Sequence, residues 1–364
     1  MPTPEPLSAG QRTLRLTAIA LIAGALALAF AASAGWLTPA RLTPGRIVDA
    51  LQGHDGLHPG FRRAHAKGVC VIGEFAGNGA GAALSKAALF AAGARVPVVG
   101  RFSTGGGIPD APDGRVVFHS MALSFTLPDG SQWRTGMNHV PIFPVATPQD
   151  FLAFQLATRP APATGKPDPA RVAAYLAAHP ETRAFMAWLR EHPLPSSFAN
   201  GTYYSVNAFR FIDAAGTART VRWRMQPEAP FAELDKATLA QRDADFLFAD
   251  LATRLRAGPL RWQLIVTLAG PGDAGNDATR PWPADRRELT LGTLTLERAT
   301  LEDDGPCRDL TFDPLILPAG IAASDDPLLA ARSAAYARSF TRRAGEPAPR
   351  SALARDPSFR ETVR

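Results

Sequence analysis

Polar and apolar positions alternate with a period of two along several stretches of this chain. Arg222 and Arg224 alternate with Val221, Trp223 and Met225; Trp262, Leu264, Val266 and Leu268 alternate through residues 259–269; leucine alternates with threonine and glycine through 289–296. That period belongs to strands with one buried face. β-Branched and aromatic runs at 68–75, 96–103 and 115–127, separated by turn clusters such as Gly105-Gly106-Gly107 and Pro128-Asp129-Gly130, predict further strands. Residues 209–212 and 220–225 flank Asp213-Ala214-Ala215-Gly216 and predict a hairpin. Helical patterns lie between and after these runs, at 150–157, 168–191 with a break near Pro180, 232–256 and 327–343. Grouped antiparallel strands with separate helices make an α+β chain. Seven or more strands must also hide their edges, which predicts a closed antiparallel β-barrel with surrounding helices.

Residues 16–37 break this pattern, because they form a run of 22 residues without a charge. As a helix the run covers roughly 33 Å, about one bilayer core. Arg12 and Arg15 precede it, so the positive-inside rule places residues 1–15 in the cytoplasm and the rest of the chain in the periplasm. Ala32-Ser33-Ala34 also resembles a signal-peptidase site, so a retained transmembrane anchor and a signal peptide are both open. The run exceeds an ordinary signal-peptide core, which favours the anchor, and both readings export the rest of the chain. Residues 38–58 are rich in Pro and Gly, with one short amphipathic stretch at 46–51, and read as a tether.

Of the 364 residues, 46% are hydrophobic and 20% charged, enough to bury a large core and too many apolar residues for a disordered chain. The net charge is +6, yet only four of the 39 basic residues are lysines and the arginines are interspersed with acids, which is not a nucleic-acid-binding stripe. The two cysteines, Cys70 and Cys307, have neither zinc-ligand nor CxxCH spacing. In an oxidising compartment one disulfide between them is open, and two unpaired core thiols are at least as good a reading.

Four constellations carry candidate chemistry. Arg332, Tyr336, Ser339 and Arg343 fall at i, i+4, i+7 and i+11, which sets a tyrosine between two arginines on one helical face. A guanidinium one turn away favours the phenolate, a hard anionic ligand for ferric iron. Arg62-Arg63-Ala64-His65 leads into a strand, where His65 is a candidate general base and Arg62 a partner for a carboxylate. Arg101 and Ser103 stand at a strand end beside the glycine cluster, and Asn138, followed by Phe143 and Phe151, offers an amide in an apolar setting. Taken singly, each has an ordinary structural reading.

Taken together and in order, these segments resemble the haem catalases, and among them the short catalase-related peroxidases. The resemblance rests on Arg62 followed by His65-Ala66-Lys67-Gly68, on Arg101-Phe102-Ser103-Thr104, and on Asn138 before Pro141-Ile142-Phe143. It also rests on Phe312-Asp313-Pro314, Pro318-Ala319-Gly320-Ile321, and Arg332 four residues before Tyr336. It implies a haem domain over residues 59–345, with 346–364 as a C-terminal tail, and haem b as the cofactor. It implies that His65 and Asn138 face the peroxide, that Ser103 orients His65, and that Tyr336 is the axial ligand of the haem iron, supported by Arg332. Arg62, Arg101 and Arg343 are implied to bind the haem propionates, and Phe143 and Phe151 to line the haem and its channel.

The chain also departs from the large catalases it resembles. It ends soon after Arg343, without the segment that binds NADPH in some members, so no NADPH is expected. Ala64 and Gly105 stand where large catalases have valines, which implies a wider distal pocket, and Asn207 stands in place of a histidine linked to the proximal arginine. The expected activity is reduction of H2O2 or small organic hydroperoxides by an organic donor, with weak catalase activity. A hydroperoxide isomerase or dehydratase on the same scaffold, or a non-catalytic haem carrier, are the alternatives. A monomer or dimer is expected rather than a tetramer, because an apolar segment occupies the place of the tetramer-forming N-terminal arm.

Overall fold

The structure, a computed structural model, describes residues 8–34, 36–37, 41–234, 239, 241–303 and 305–355. The chain divides into two compact units, Met1–Thr43 and Pro44–Arg364. The first contains helix α1 (Ala9–Ser33). Ser8 and Gln11 close a reciprocal capping box at its start, Ser8 Oγ accepting from the Gln11 N–H at 3.3 Å and Gln11 Oε1 from the Ser8 N–H at 3.1 Å. None of its side chains is buried. By length and composition it can cross a bilayer core, a property that signal sequences share.

The second unit is built on ten antiparallel strands. They are β1 (Gly68–Gly77), β2 (Arg95–Thr104), β3 (His119–Thr126), β4 (Gln132–Asn138), β5 (Tyr203–Tyr204), β6 (Phe209–Ile212), β7 (Ala218–Pro227), β8 (Leu260–Leu268), β9 (Glu288–Thr300) and β10 (Ile321–Ala323). The neighbour order is β10-β6-β7-β5-β4-β3-β2-β1-β9-β8, and β8 pairs back onto β7. Eight strands therefore close into a barrel, with β6 and β10 as a short flap, so no long edge is left to be covered. Where β1 crosses β9, the register shifts at Ile72/Gly73. A Cβ on Gly73 would stand 1.9 Å from the Thr295 carbonyl oxygen, so only glycine permits that approach.

The period-two pattern turns large side chains inward. Trp133, Trp223, Trp262, Phe102, Phe125 and Phe211 are fully buried. Trp133 stacks on Phe125 at 4.7 Å and meets Trp223 edge-on at 5.0 Å. Each such side chain contributes roughly 1.5–3 kcal/mol by leaving water.

Among the described residues this unit has the α-helices α2 (Pro44–Asp55), α3 (Pro148–Thr158), α4 (Pro169–Ala178), α5 (Pro180–Glu191), α6 (Phe246–Ala257) and α7 (Pro327–Ala344). Thr147, Asp168 and Asp326 cap α3, α4 and α7, each followed by Pro at the first helical position. The break expected near Pro180 is the junction of α4 and α5, centred on His179.

Several expectations need correction. Residues 44–55 lie in the expected tether but form α2, which buries Ile47, Val48 and Ala50. Pro44 and Gly45 disguise a helix whose proline sits harmlessly in the first turn. The strand expected over 115–127 begins at His119. Of the helix expected over 232–256, residues 246–257 form a helix, whereas 232–234 are extended, with Glu233 bridging to Pro195, and 241–245 are turn; residues 235–238 and 240 lie outside the described residues. β4 is not among the expected strands, although Trp133, Thr135 and Met137 alternate inward along it. Cys70 and Cys307 form a disulfide, with 5.4 Å between Cα atoms, that ties β1 to the segment after β9.

Candidate functional site

One cavity of about 890 Å³ opens between the barrel wall and helices α2, α3, α5 and α7. All ten residues singled out from the sequence line it: Arg62, His65, Arg101, Ser103, Asn138, Phe143, Phe151, Arg332, Tyr336 and Arg343. They come from six parts of the chain, Phe143 from the segment between β4 and α3. Arg62 and His65 precede β1, Arg101 and Ser103 end β2, Asn138 ends β4, Phe151 is on α3, and the last three share one face of α7.

His65 sits in the left-handed backbone region, with φ of 57°. Only Val206 among the described non-glycine residues shares that feature, and such strain persists where the surrounding structure imposes it. The conformation brings His65 Nδ1 to 3.4 Å from Ser103 Oγ. Burial, then the charges of Arg101, Arg332 and Arg62, push the imidazole down to about 4, so it is neutral at physiological pH and able to accept a proton. Asn138 stands opposite Ser120 on β3, and its Oδ1 accepts from Ser120 Oγ at 2.6 Å. Phe143 and Phe151 stack at 6.2 Å and wall the same space.

Tyr336 lies on the α7 side, with its hydroxyl against β4. A Cβ on Gly136 would stand 3.5 Å from both Tyr336 Oη and Arg332 Nη2, an ordinary contact distance, so both groups lie against this stretch of β4. Arg332 donates to the Gly136 carbonyl at 3.2 Å and to Asn207 Oδ1. Asn207 Nδ2 in turn donates to Asp326 Oδ2 at 2.8 Å. The asparagine thus retains a link from a buried carboxylate through the guanidinium beside the phenol.

Arg62, Arg101 and Arg343 converge at one end of the cavity around Glu302. Arg101 holds Glu302 with two 2.8 Å bonds, Arg62 Nε stands 3.7 Å from it, and Arg62 Nη2 reaches three carbonyls, those of Cys307, Arg308 and Leu310. Arg343 donates to the Arg308 carbonyl at 2.7 Å. Burial would raise the Glu302 carboxyl, but Arg101, Arg62 and Arg343 together hold it below its ordinary range. Burial and the neighbouring Arg101 bring Arg62 down to about 9, and its Nε is buried without a hydrogen-bond partner among the described residues. Arg343 also faces Asp309 at 4.0 Å, so three guanidiniums meet two carboxylates and the cluster keeps a net positive charge, which suits an anionic group.

Four residues of this arrangement are not among those singled out from the sequence: Phe118, Ser120, Glu302 and Asp326. Asp326 carries a readable signal, as the residue before Pro327 at a helix start. Glu302 carries none, since its partner Arg101 is 201 residues away. Gly105 does not widen the cavity as expected, because the Phe118 ring occupies the space beside it. Of the other histidines, His54 lines the cavity mouth and bonds Asp55 at 2.8 Å. His119 and His139 are buried outside the cavity, their rings 5.6 Å apart. Among the described residues no three His, Cys, Asp or Glu side chains are grouped to hold a metal ion.

Comparison with known proteins gives a consistent result. The Catalase family profile matches residues 39–349. A catalase-related peroxidase of Synechococcus elongatus is 38% identical over 302 residues, covering 83% of this chain and 89% of the relative. A second, from Mycolicibacterium paratuberculosis, is 36% identical over 305 residues, covering 84% and 96%. Catalase A from Saccharomyces cerevisiae superposes with a TM-score of 0.71 at 20% identity, over 82% of this chain and 64% of that one, and so shares the fold. With its eight-stranded barrel and the family match spanning most of its length, the chain belongs to the catalase family.

Proposed function

We propose that the protein is a haem b peroxidase that reduces H2O2 or small organic hydroperoxides with an organic electron donor. The observation that carries this reading is the placement of a neutral His65, with Asn138 near it, and of the Arg332-supported Tyr336 around one cavity. Membership of the catalase family implies haem, and the residues present fit that group: a phenol, a cluster of three arginines with net positive charge, and the Phe143 and Phe151 rings line one cavity. Tyr336 would hold the iron, Arg62 and Arg343 the propionates, with Arg101 acting beside them through its pairing to Glu302. Haem, when bound, supplies the redox chemistry that splits the peroxide O–O bond.

The chain's own residues do the rest. Asn138 hydrogen-bonds the peroxide and orients it beside His65. His65 takes the proton of one peroxide oxygen and returns it to the other, which then leaves as water. Ser103 steadies the imidazole, and Arg332 stabilises the phenolate charge of Tyr336. The aliphatic and aromatic wall excludes bulk water and strengthens each of these interactions. The apolar helix α1 and the Cys70–Cys307 disulfide support an exported, membrane-held location facing the periplasm. A haem carrier needs no proton-moving histidine, so His65 and Asn138 together speak for turnover.

Haem-loaded wild type and His65→Ala decide the matter. H2O2-dependent oxidation of an aromatic donor should fall by a factor on the order of 10² or more in the variant. Unchanged activity would reject the enzyme reading in favour of a carrier. Oxygen evolution outpacing donor oxidation in the wild type would reject the peroxidase preference, and consumption of an organic hydroperoxide without any donor would point to an isomerase or dehydratase.

A further inference from the structure

The residues after β2 have no side-chain bulk, Gly105-Gly106-Gly107, yet the cavity wall there is closed. A Cβ built on Gly105 would stand 2.6 Å from Phe118 Cζ, 2.8 Å from Cε1 and 2.9 Å from Cε2. The outer half of the Phe118 ring therefore occupies the volume that any side chain at 105 would need. The two residues are held together along the backbone as well, with the Gly105 N–H donating to the Phe118 carbonyl at 3.3 Å.

The ring also faces the chemistry. Its centroid is 5.8 Å from that of His65, with an interplanar angle of 67°, an edge-on contact that favours a fixed ring position. Ile108 and Val117 line the same cavity and are 43% and 58% exposed, so the wall around Phe118 reaches solvent.

The loop that presents the ring is anchored at three points. Gly106 accepts from the Ala66 N–H at 3.0 Å, the Gly107 N–H donates to Asp55 Oδ2 at 2.5 Å, and Asp113 pairs with the buried Lys67 at 2.7 Å. Residues 66 and 67 directly follow His65, so the loop and the histidine are set by the same short segment. The ring is thus a fixed element of the wall.

We propose that Phe118 is the residue that determines hydroperoxide size selectivity in this protein, its ring admitting H2O2 and small alkyl hydroperoxides to His65 and rejecting alkyl hydroperoxides that carry an aryl ring. The assignment rests on the reading of His65 as the proton-moving residue. Removing the ring opens a space of aromatic size, and side-chain-sized changes in an apolar pocket alter discrimination by about 10–200-fold.

The test uses the full-length haem-loaded protein, Phe118→Ala, and the double variant Gly105→Val with Phe118→Ala, in which a side chain at 105 refills the vacated space. Two readouts are taken: kcat/KM for cumene hydroperoxide relative to H2O2, and the affinities of the ferric protein for cyanide and for a phenyl-substituted imidazole, followed by absorption. In Phe118→Ala the cumene-to-H2O2 ratio should rise about tenfold or more. The phenylimidazole should bind correspondingly tighter while cyanide changes little, and the double variant should move both readouts back toward wild type. Ratios and ligand affinities unchanged in Phe118→Ala, with H2O2 turnover still dependent on His65, would overturn the proposal alone. H2O2 turnover that survives His65→Ala would overturn the reading of the site and the proposal with it.

Discussion

Lys67 gives the sharpest stability test of how the site is held. Its ammonium is fully buried, 2.7 Å from Asp113 and 2.5 Å from Asp245, and also donates to the Ala111 and Ala244 carbonyls at 2.9 and 3.0 Å. It joins the entrance of β1, the loop that carries Phe118 and the start of α6. Lys67→Met keeps the length of the side chain and removes the charge, leaving two carboxylates facing each other with no cation between them. Breaking a buried ion pair in this way costs about 3–5 kcal/mol. At roughly 2–4 °C per kcal/mol, Tm should fall by at least roughly 6 °C at pH 7.5.

The loss should also depend on pH. Burial, against the pull of Lys67, already raises the Asp113 carboxyl to about 6 in the wild type. Without Lys67 it rises further, so the folded variant holds a proton that the unfolded chain releases near the ordinary carboxylate range. A folded-state value above the unfolded one adds stability at low pH that is lost as pH rises through the folded value. The deficit of the variant should therefore be smaller at pH 5 than at pH 7.5. Thermal unfolding followed by tryptophan fluorescence at both values measures this. A deficit under about 1 kcal/mol, below the range for breaking a buried pair, or one independent of pH, would refute the pairing.

The same geometry carries two more expected outcomes. His65 works as a base only when neutral, and its folded-state value is about 4, so kcat/KM for H2O2 should be flat through neutrality and fall only below about pH 4; an acid limb near 6.5 would contradict the depressed value. The disulfide closes a loop spanning 237 residues, so Cys70→Ser with Cys307→Ser should lose roughly 2–5 kcal/mol of stability in chemical denaturation. An equal loss on adding reductant to wild type, and none in the double variant, checks that the effect belongs to the bond.

The fold is legible where the pattern is local. β7, β8 and β9 announce themselves by strict alternation, and α7 by its cap at Asp326 and the spacing of Arg332, Tyr336 and Arg343. β4 hides because Gly136 and Asn138 read as turn residues, although both pair in the ladder, Gly136 with Ala122 and Asn138 with Ser120. α2 hides behind Pro44 and Gly45. Of the ten cavity residues singled out, all but Phe151 and Arg343 are legible in short ordered motifs that the resemblance matches. Glu302 and Phe118 are not, since their roles come from packing: one answers Arg101 from 201 residues away, the other fills a space left by a glycine 13 positions earlier. The expectation of a wider pocket fails at Gly105 for that reason: the missing side chain is supplied from elsewhere in the chain.

The central claim is that Tyr336, set by Arg332 and the Asn207–Asp326 link, is the ligand on which the haem site is built. Absorption and electron paramagnetic resonance spectra of ferric wild type and Tyr336→Phe, loaded with haem under identical conditions, test it most directly. The wild type should show a high-spin ferric spectrum with phenolate ligation, and the variant should lose it, either by failing to retain haem or by taking a different ligand. A Tyr336→Phe spectrum identical to that of the wild type would contradict the account.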